Sequence, residues 1–169
     1  DIVPAQQWTD DETWFQGTAD AVYQSLDIIE GYGTDHVLIL AGDHVYNMDY
    51  GEMLAQHVNT GADFTVACLP VTISDAAGQF GVMEIEKNGR VKNFEEKPQN
   101  PAPIPGDPGK TLASMGIYIA NLKYLEEHLR ADAQDKNSSH DFGRDIIPKV
   151  LANGDHVAAY QFSNPLGSR

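Results

Sequence analysis

The chain has 169 residues, 41% hydrophobic and 21% charged, with 25 acids against 11 bases and a formal charge of -14. That length suits one domain able to bury roughly 70% of its unfolded surface. No base precedes Lys87, so the basic stripe of a nucleic-acid binder is missing and nucleic acid is not an expected partner.

Thr18 to Tyr32 places Val22, Leu26 and Ile29 at helical spacing and meets Gly31 and Gly33, predicting a helix that stops there. His36 to Ala41 is a short β-branched and leucine run, the pattern of a strand buried on both faces. Asp49 with Glu52 reads as a capping box opening a helix that runs to Gly61, and Phe64 to Leu69 is a second buried strand containing Cys68, the only cysteine. No internal disulfide can form, which fits a reducing, cytoplasmic setting. The order helix, strand, helix, strand predicts crossovers onto a parallel sheet. Next, Phe80-GVMEIE and Arg90-VKNFEE flank Lys87-Asn88-Gly89, a hairpin signal. Five of the nine prolines fall between Pro98 and Gly109, predicting a long surface loop. A strand over Leu112 to Ala120, helices over Leu122 to Arg130 and near Asp145 to Asn153, and a strand over His156 to Phe162 complete a three-layer α/β domain with a mixed sheet. No apolar run approaches the ~18 residues of a membrane span, and the acidic first residues do not read as a signal peptide, so no membrane partner is expected.

In open α/β sheets, ligands bind beyond the carboxyl ends of the strands. Asp43 follows Gly42 at such an end, where a carboxylate is either a Mg²⁺ ligand or a helix-capping or turn residue. Gly17 and Thr18 precede a helix, as an anion or base contact or as plain capping. Glu96 and Lys97 end the strand Phe94-EEKP; either one of them faces the crevice or both lie on a solvated hairpin edge. Ser114-Met-Gly-Ile-Tyr puts small residues in an apolar strand, for tight packing or for ligand space. Asn137-SSHDFGRD gathers hydroxyls, His140 and Asp141 before a helix that Asp141 can cap.

Taken together, Trp14-FQGTADAV, Leu38-ILAGDH, Phe80-GVM, Phe94-EEKP, Leu112-ASMGIY and Ser138-SHDFGRD resemble the bacterial ADP-glucose pyrophosphorylases (glucose-1-phosphate adenylyltransferases), in order and in spacing, over nearly the whole chain. The resemblance implies a Rossmann-like, three-layer nucleotide-diphospho-sugar transferase domain with a mixed, mainly parallel sheet. It implies joining of ATP and glucose 1-phosphate into ADP-glucose and pyrophosphate, for glycogen or starch synthesis. Under it, Asp43 holds magnesium (Mg²⁺) beside the α-phosphate and Lys97 binds the phosphate of glucose 1-phosphate, these two being the catalytic pair. Glu96 holds sugar hydroxyls, Ser114 lines the sugar pocket, and Asp141 and Phe142 close it. Gly17 and Thr18 contact the nucleotide base, with Phe15 near it where many relatives carry Tyr. The family's Gly-rich phosphate loop and second metal-binding Asp find no match here. The resemblance therefore implies that residues 1–169 are an interior part of a catalytic domain. Its phosphate-loop strand and C-terminal β-helix domain would lie outside, and the isolated segment is not expected to turn over. Allosteric control and a homotetramer are family features of the full-length enzyme. UDP- or dTDP-glucose pyrophosphorylase chemistry on the same fold, and a non-catalytic binding role, are the alternatives.

Overall fold

Alternate residues of the run starting at His36 feed two separate cores. Val37 and Ile39 pack with Phe64, Val66, Cys68 and Tyr118, whereas Leu38 and Leu40 pack with Ala67, Ile117 and Ile119. This is the double burial that an unbroken apolar strand implies. The computed structural model describes residues 6–7, 12–16, 19–24, 31, 33, 35–40 and 50–162. In chain order the described elements are β1 (Gln6–Gln7), β2 (Glu12–Gln16), α1 (Ala19–Gln24), β3 (His36–Leu40), α2 (Tyr50–Thr60), β4 (Phe64–Thr72) and α3 (Ile73–Ala76). There follow β5 (Gly81–Ile85), β6 (Val91–Glu96), β7 (Lys110–Asn121), α4 (Leu122–Ala133), a π-helical turn (Phe142–Ile146), α5 (Ile147–Ala152) and β8 (Val157–Gln161).

Three layers result. Helix α2 covers one face of the sheet through Met53 and Leu54. Helices α1, α4 and α5 with the π-turn cover the other, through Ala19 and Val22, Leu125 and Leu129, Phe142 and Ile146, and Ile147 and Val150. Helix α4 runs past the predicted Arg130 to Ala133, and its buried face, Leu122, Leu125 and Leu129, continues into Asp132, a buried acid in its last turn.

The sheet order is β1-β2-β3-β7-β4-β8, with the β5–β6 ribbon attached to β7. Strands β2 and β3 are parallel, as are β4 and β8, and β7 is antiparallel to both β3 and β4. Strands β2, β3, β4 and β8 therefore share one direction. The predicted succession of parallel strands holds for direction but not for adjacency, because β7 comes from far along the chain and inserts between β3 and β4.

Sequence reading missed β2, whose backbone pairs with β3 from Glu12↔His36 to Gln16↔Leu40. It also stopped β4 too early: the strand continues through Pro70, paired with Leu112, to Thr72. Proline is tolerated there because the β8 pairing ends at Cys68↔Gln161, leaving β4 only one neighbour. The predicted hairpin is present, turning at Gly89 with φ +86, and the Asn88 side chain accepts from the Arg90 amide at 2.9 Å. The proline-rich stretch is a loop pinned where the Thr111 hydroxyl donates to the Ala102 carbonyl at 2.6 Å.

Candidate functional site

Strand β7 changes partners along one of its edges. Its residues 117–121 pair with β3, ending at Leu40↔Ile117, while Leu112 and Ala113 pair with Met83 and Val82 of β5. Between these stretches the β4 register jumps from Val66↔Tyr118 to Cys68↔Ser114, so β7 bulges over residues 115–117. Gly116 supplies the left-handed conformation the bulge needs, with φ +72, and its amide donates to the Ser114 hydroxyl at 3.2 Å. The small residues Ser114 and Gly116 thus sit at a fork in the sheet, and the carboxyl end of β3 points at it.

Glu96 ends β6 opposite Gly81. A Cβ built on Gly81 would meet Phe94 Cζ at 2.6 Å and Glu96 Oε1 at 2.9 Å; one built on Gly143 would meet the same Oε1 at 2.8 Å. The carboxylate therefore lies in a slot between two glycines, where an added side chain would press on it. Burial pushes the Glu96 carboxyl above its usual range and the Asp141 carboxylate adds to this, against the opposing pull of Lys97 and Arg144. Two acids and two bases thus share one local field.

Lys97 is exposed, with φ +51, and its amide donates to the Phe80 carbonyl at 3.0 Å. Successive strand residues point to opposite faces, but the left-handed turn at Lys97 ends that alternation.

Asp141 caps the π-turn, its carboxylate accepting from the Arg144 amide at 2.8 Å. The predicted capping role is present, and the same residue acts electrostatically on Glu96. The predicted helix near Asp145 starts earlier, at Phe142, with its first turn widened; π-turns are frequent at functional sites. Phe142 is buried, its ring 5.3 Å from Tyr118 and 6.5 Å from Phe64. Burial raises the Tyr118 hydroxyl well above its usual range, with Ser114 as a hydrogen-bond partner acting the other way and Asp141 and Glu96 adding to the rise.

Ser114, Glu96, Lys97, Asp141 and Phe142 are accordingly brought to one end of the sheet. Phe15 is placed by its backbone alone, opposite Ile39. Asp43, Gly17 and Thr18 lie outside the described residues, although Leu40 at the fork and Ala19 at the start of α1 lie close to them in the chain. Sequence reasoning missed Gly81, Gly143 and Arg144. A glycine inside a strand marks close approach, so Gly81 was findable from its position; an Arg in a helical first turn carries no such signal. Among the described residues no group of His, Cys, Asp and Glu could by itself hold a metal ion. No described helix is long and apolar enough to cross a membrane.

Acids and cations thus meet beyond the carboxyl end of β3, the place where open α/β sheets bind ligands. The chain belongs to the nucleotidyl transferase family, whose model matches residues 1–165. Within that family it is similar to glucose-1-phosphate adenylyltransferases. It is 52% identical over 164 residues to that of Nitrosomonas europaea, covering 97% of this chain and 38% of the relative. Identity is 55% over 158 residues to that of Rhodopseudomonas palustris, covering 94% and 37%. For an Enterobacter species it is 54% over 166 residues, covering 98% and 38%. The chain thus spans well under half the length of these curated relatives.

Proposed function

We propose that this chain supplies the sugar-phosphate side of an enzyme that makes ADP-glucose and pyrophosphate from ATP and glucose 1-phosphate. The carrying observation is the Glu96 slot: a carboxylate set between Gly81 and Gly143, beside Asp141 and flanked by Lys97 and Arg144. A carboxylate accepts hydrogen bonds from sugar hydroxyls, and adjacent cations answer a phosphate monoester, so the pairing fits a sugar phosphate better than either ligand alone.

In this reading a phosphate oxygen of glucose 1-phosphate attacks the α-phosphorus of ATP. The new O–P bond forms as the bond from Pα to the bridging oxygen breaks, and that oxygen leaves with pyrophosphate. Such a displacement needs positioning and charge neutralisation more than proton transfer. Lys97 fixes the nucleophile as a point charge, Glu96 and Asp141 orient the sugar, and Ser114 lines the fork beneath it. Asp43, three residues after Leu40 in the chain, would hold Mg²⁺, an ion that takes one or two carboxylates plus substrate phosphates. When bound, it would neutralise charge on the phosphates.

The test is pyrophosphate release by the full-length protein from glucose 1-phosphate with ATP, UTP or dTTP. ATP is expected to be preferred, and preference for another nucleotide would reassign the base. Lys97→Ala is expected to raise KM for glucose 1-phosphate by about tenfold or more while leaving that for ATP nearly unchanged. An equal rise for both substrates would mean that Lys97 only supports the fold.

A further inference from the structure

The fork explains Glu96 but not His140, a non-glycine residue held at φ +58. Left-handed backbone is costly for such a residue and persists only where its surroundings impose it. What imposes it here is Asp132, in the last turn of α4 and only 2% exposed. A buried carboxylate needs partners, and these come from the loop and from α5. The Ser138 hydroxyl donates to Asp132 Oδ1 at 2.6 Å, His140 Nδ1 lies 2.7 Å from Oδ2, and Lys149 Nζ is 3.5 Å from Oδ1. The same Ser138 oxygen accepts from the His140 amide at 2.9 Å. Residues 138–140 are thus wrapped around an acid that belongs to a different element.

A second carboxylate takes over at the next step. Asp145 Oδ2 accepts from the Ser139 amide at 3.2 Å, the Ser139 hydroxyl at 2.8 Å and the Asp141 amide at 2.9 Å. Between these two anchors the peptide has one course. It delivers Asp141 to cap the π-turn, Phe142 against Tyr118, and Gly143 onto the Glu96 carboxylate.

We propose that Asp132 and His140 are positioning residues for the sugar side of the site, locking the loop that carries Asp141 and Gly143 against Glu96. This rests on the sugar-phosphate reading above. His140 has two tasks, to adopt left-handed backbone and to donate to Asp132. Asparagine can do both, since it tolerates that conformation and carries an amide donor, whereas alanine lacks the donor and adopts that conformation only at a cost.

The experiment compares His140→Ala and His140→Asn in the full-length protein. For His140→Ala, KM for glucose 1-phosphate should rise about tenfold with KM for ATP within about twofold, while His140→Asn stays within about threefold of the parent for both. The proposal is overturned if His140→Ala leaves KM for glucose 1-phosphate unchanged, if it raises both constants alike, or if asparagine rescues nothing. Amide hydrogen exchange on the ligand-free protein separates this proposal from the sugar-phosphate reading. His140→Ala should speed exchange at the Arg144 amide, which bonds Asp141, and leave the β7 amides slow. Unchanged exchange at Arg144 would overturn the anchoring role even if the parent protein proved to use another substrate.

Discussion

Two glycines touch the same carboxylate with different consequences. At Gly81 the nearest obstacle to a Cβ is the Phe94 ring at 2.6 Å, and that ring is part of the core. Gly81→Ala is therefore overpacking, expected to cost about 1–3 kcal/mol. At Gly143 the obstacle is Glu96 Oε1 at 2.8 Å, the far end of a flexible side chain. Gly143→Ala should cost less than about 1 kcal/mol yet displace the carboxylate, raising KM for glucose 1-phosphate about fivefold. Urea midpoints and KM measured on both variants check the contrast; a larger stability loss at Gly143 than at Gly81 would refute it. At Glu96 the local pattern, an acid beside a lysine at a strand end, left a crevice-facing residue and a solvated hairpin edge both open, and only the family resemblance singled the acid out. The two glycines were not legible as a pair, since 62 positions separate them along the chain and only the fold brings them to one oxygen.

Helix α2 is tied to the sheet by His57, which is buried. Its Nδ1 lies 2.6 Å from the Thr65 hydroxyl on β4 and its Nε2 2.8 Å from Asn121 Oδ1 at the end of β7. Nε2 donates to the Asn121 oxygen, and in the neutral imidazole Nδ1 accepts from the Thr65 hydroxyl. Burial lowers the His57 pKa, outweighing the Asn121 hydrogen bond that would raise it, and His36 lowers it further. A histidine with a depressed folded pKa contributes stability above its unfolded value near 6.5, and that contribution is lost as pH falls through the folded value. Stability should thus decline on acidification below about pH 6.5, and His57→Ala should flatten that slope. The same change would strand Thr65 and Asn121, costing about 2–3 kcal/mol at neutral pH. Denaturant titrations from pH 5 to 8 test both; a parallel slope in the variant would show that other groups govern the acid limb. The elements themselves were largely legible, since helix and strand periods are local. The insertion of β7 was not, because nothing in Lys110–Asn121 states that β3 and β4 will be its neighbours. Strand β2 was missed because Glu12-Thr-Trp-Phe-Gln holds only two consecutive apolar residues and no sustained pattern.

Across the whole molecule, charge and site pull in opposite directions. A chain of formal charge -14 repels anions at long range. Lys97 and Arg144 oppose this locally, at the slot where a phosphate is proposed to sit. The core supplies a global reporter in Cys68, which is fully buried, with its thiol pushed up to about 12 by burial. Thiol reagents should leave it unmodified in the folded protein and label it fully in denaturant, because reaction requires opening of the central sheet. The labelling rate read against denaturant should follow global unfolding, and fast labelling under native conditions would show that β4 opens independently.

Because β7 deals with β3 along one stretch and with the β5–β6 ribbon along another, the strand works as a shared spine for two otherwise unconnected ladders. The ribbon is held at its turn as well, where Arg90 bridges to Ala158 and the Ala159 amide donates to the Gly89 carbonyl at 3.0 Å, while β2 and β3 pair with each other away from it. A disturbance in the ribbon therefore reaches the β2–β3 pairing by way of β7, and a disturbance at the β7 bulge reaches both.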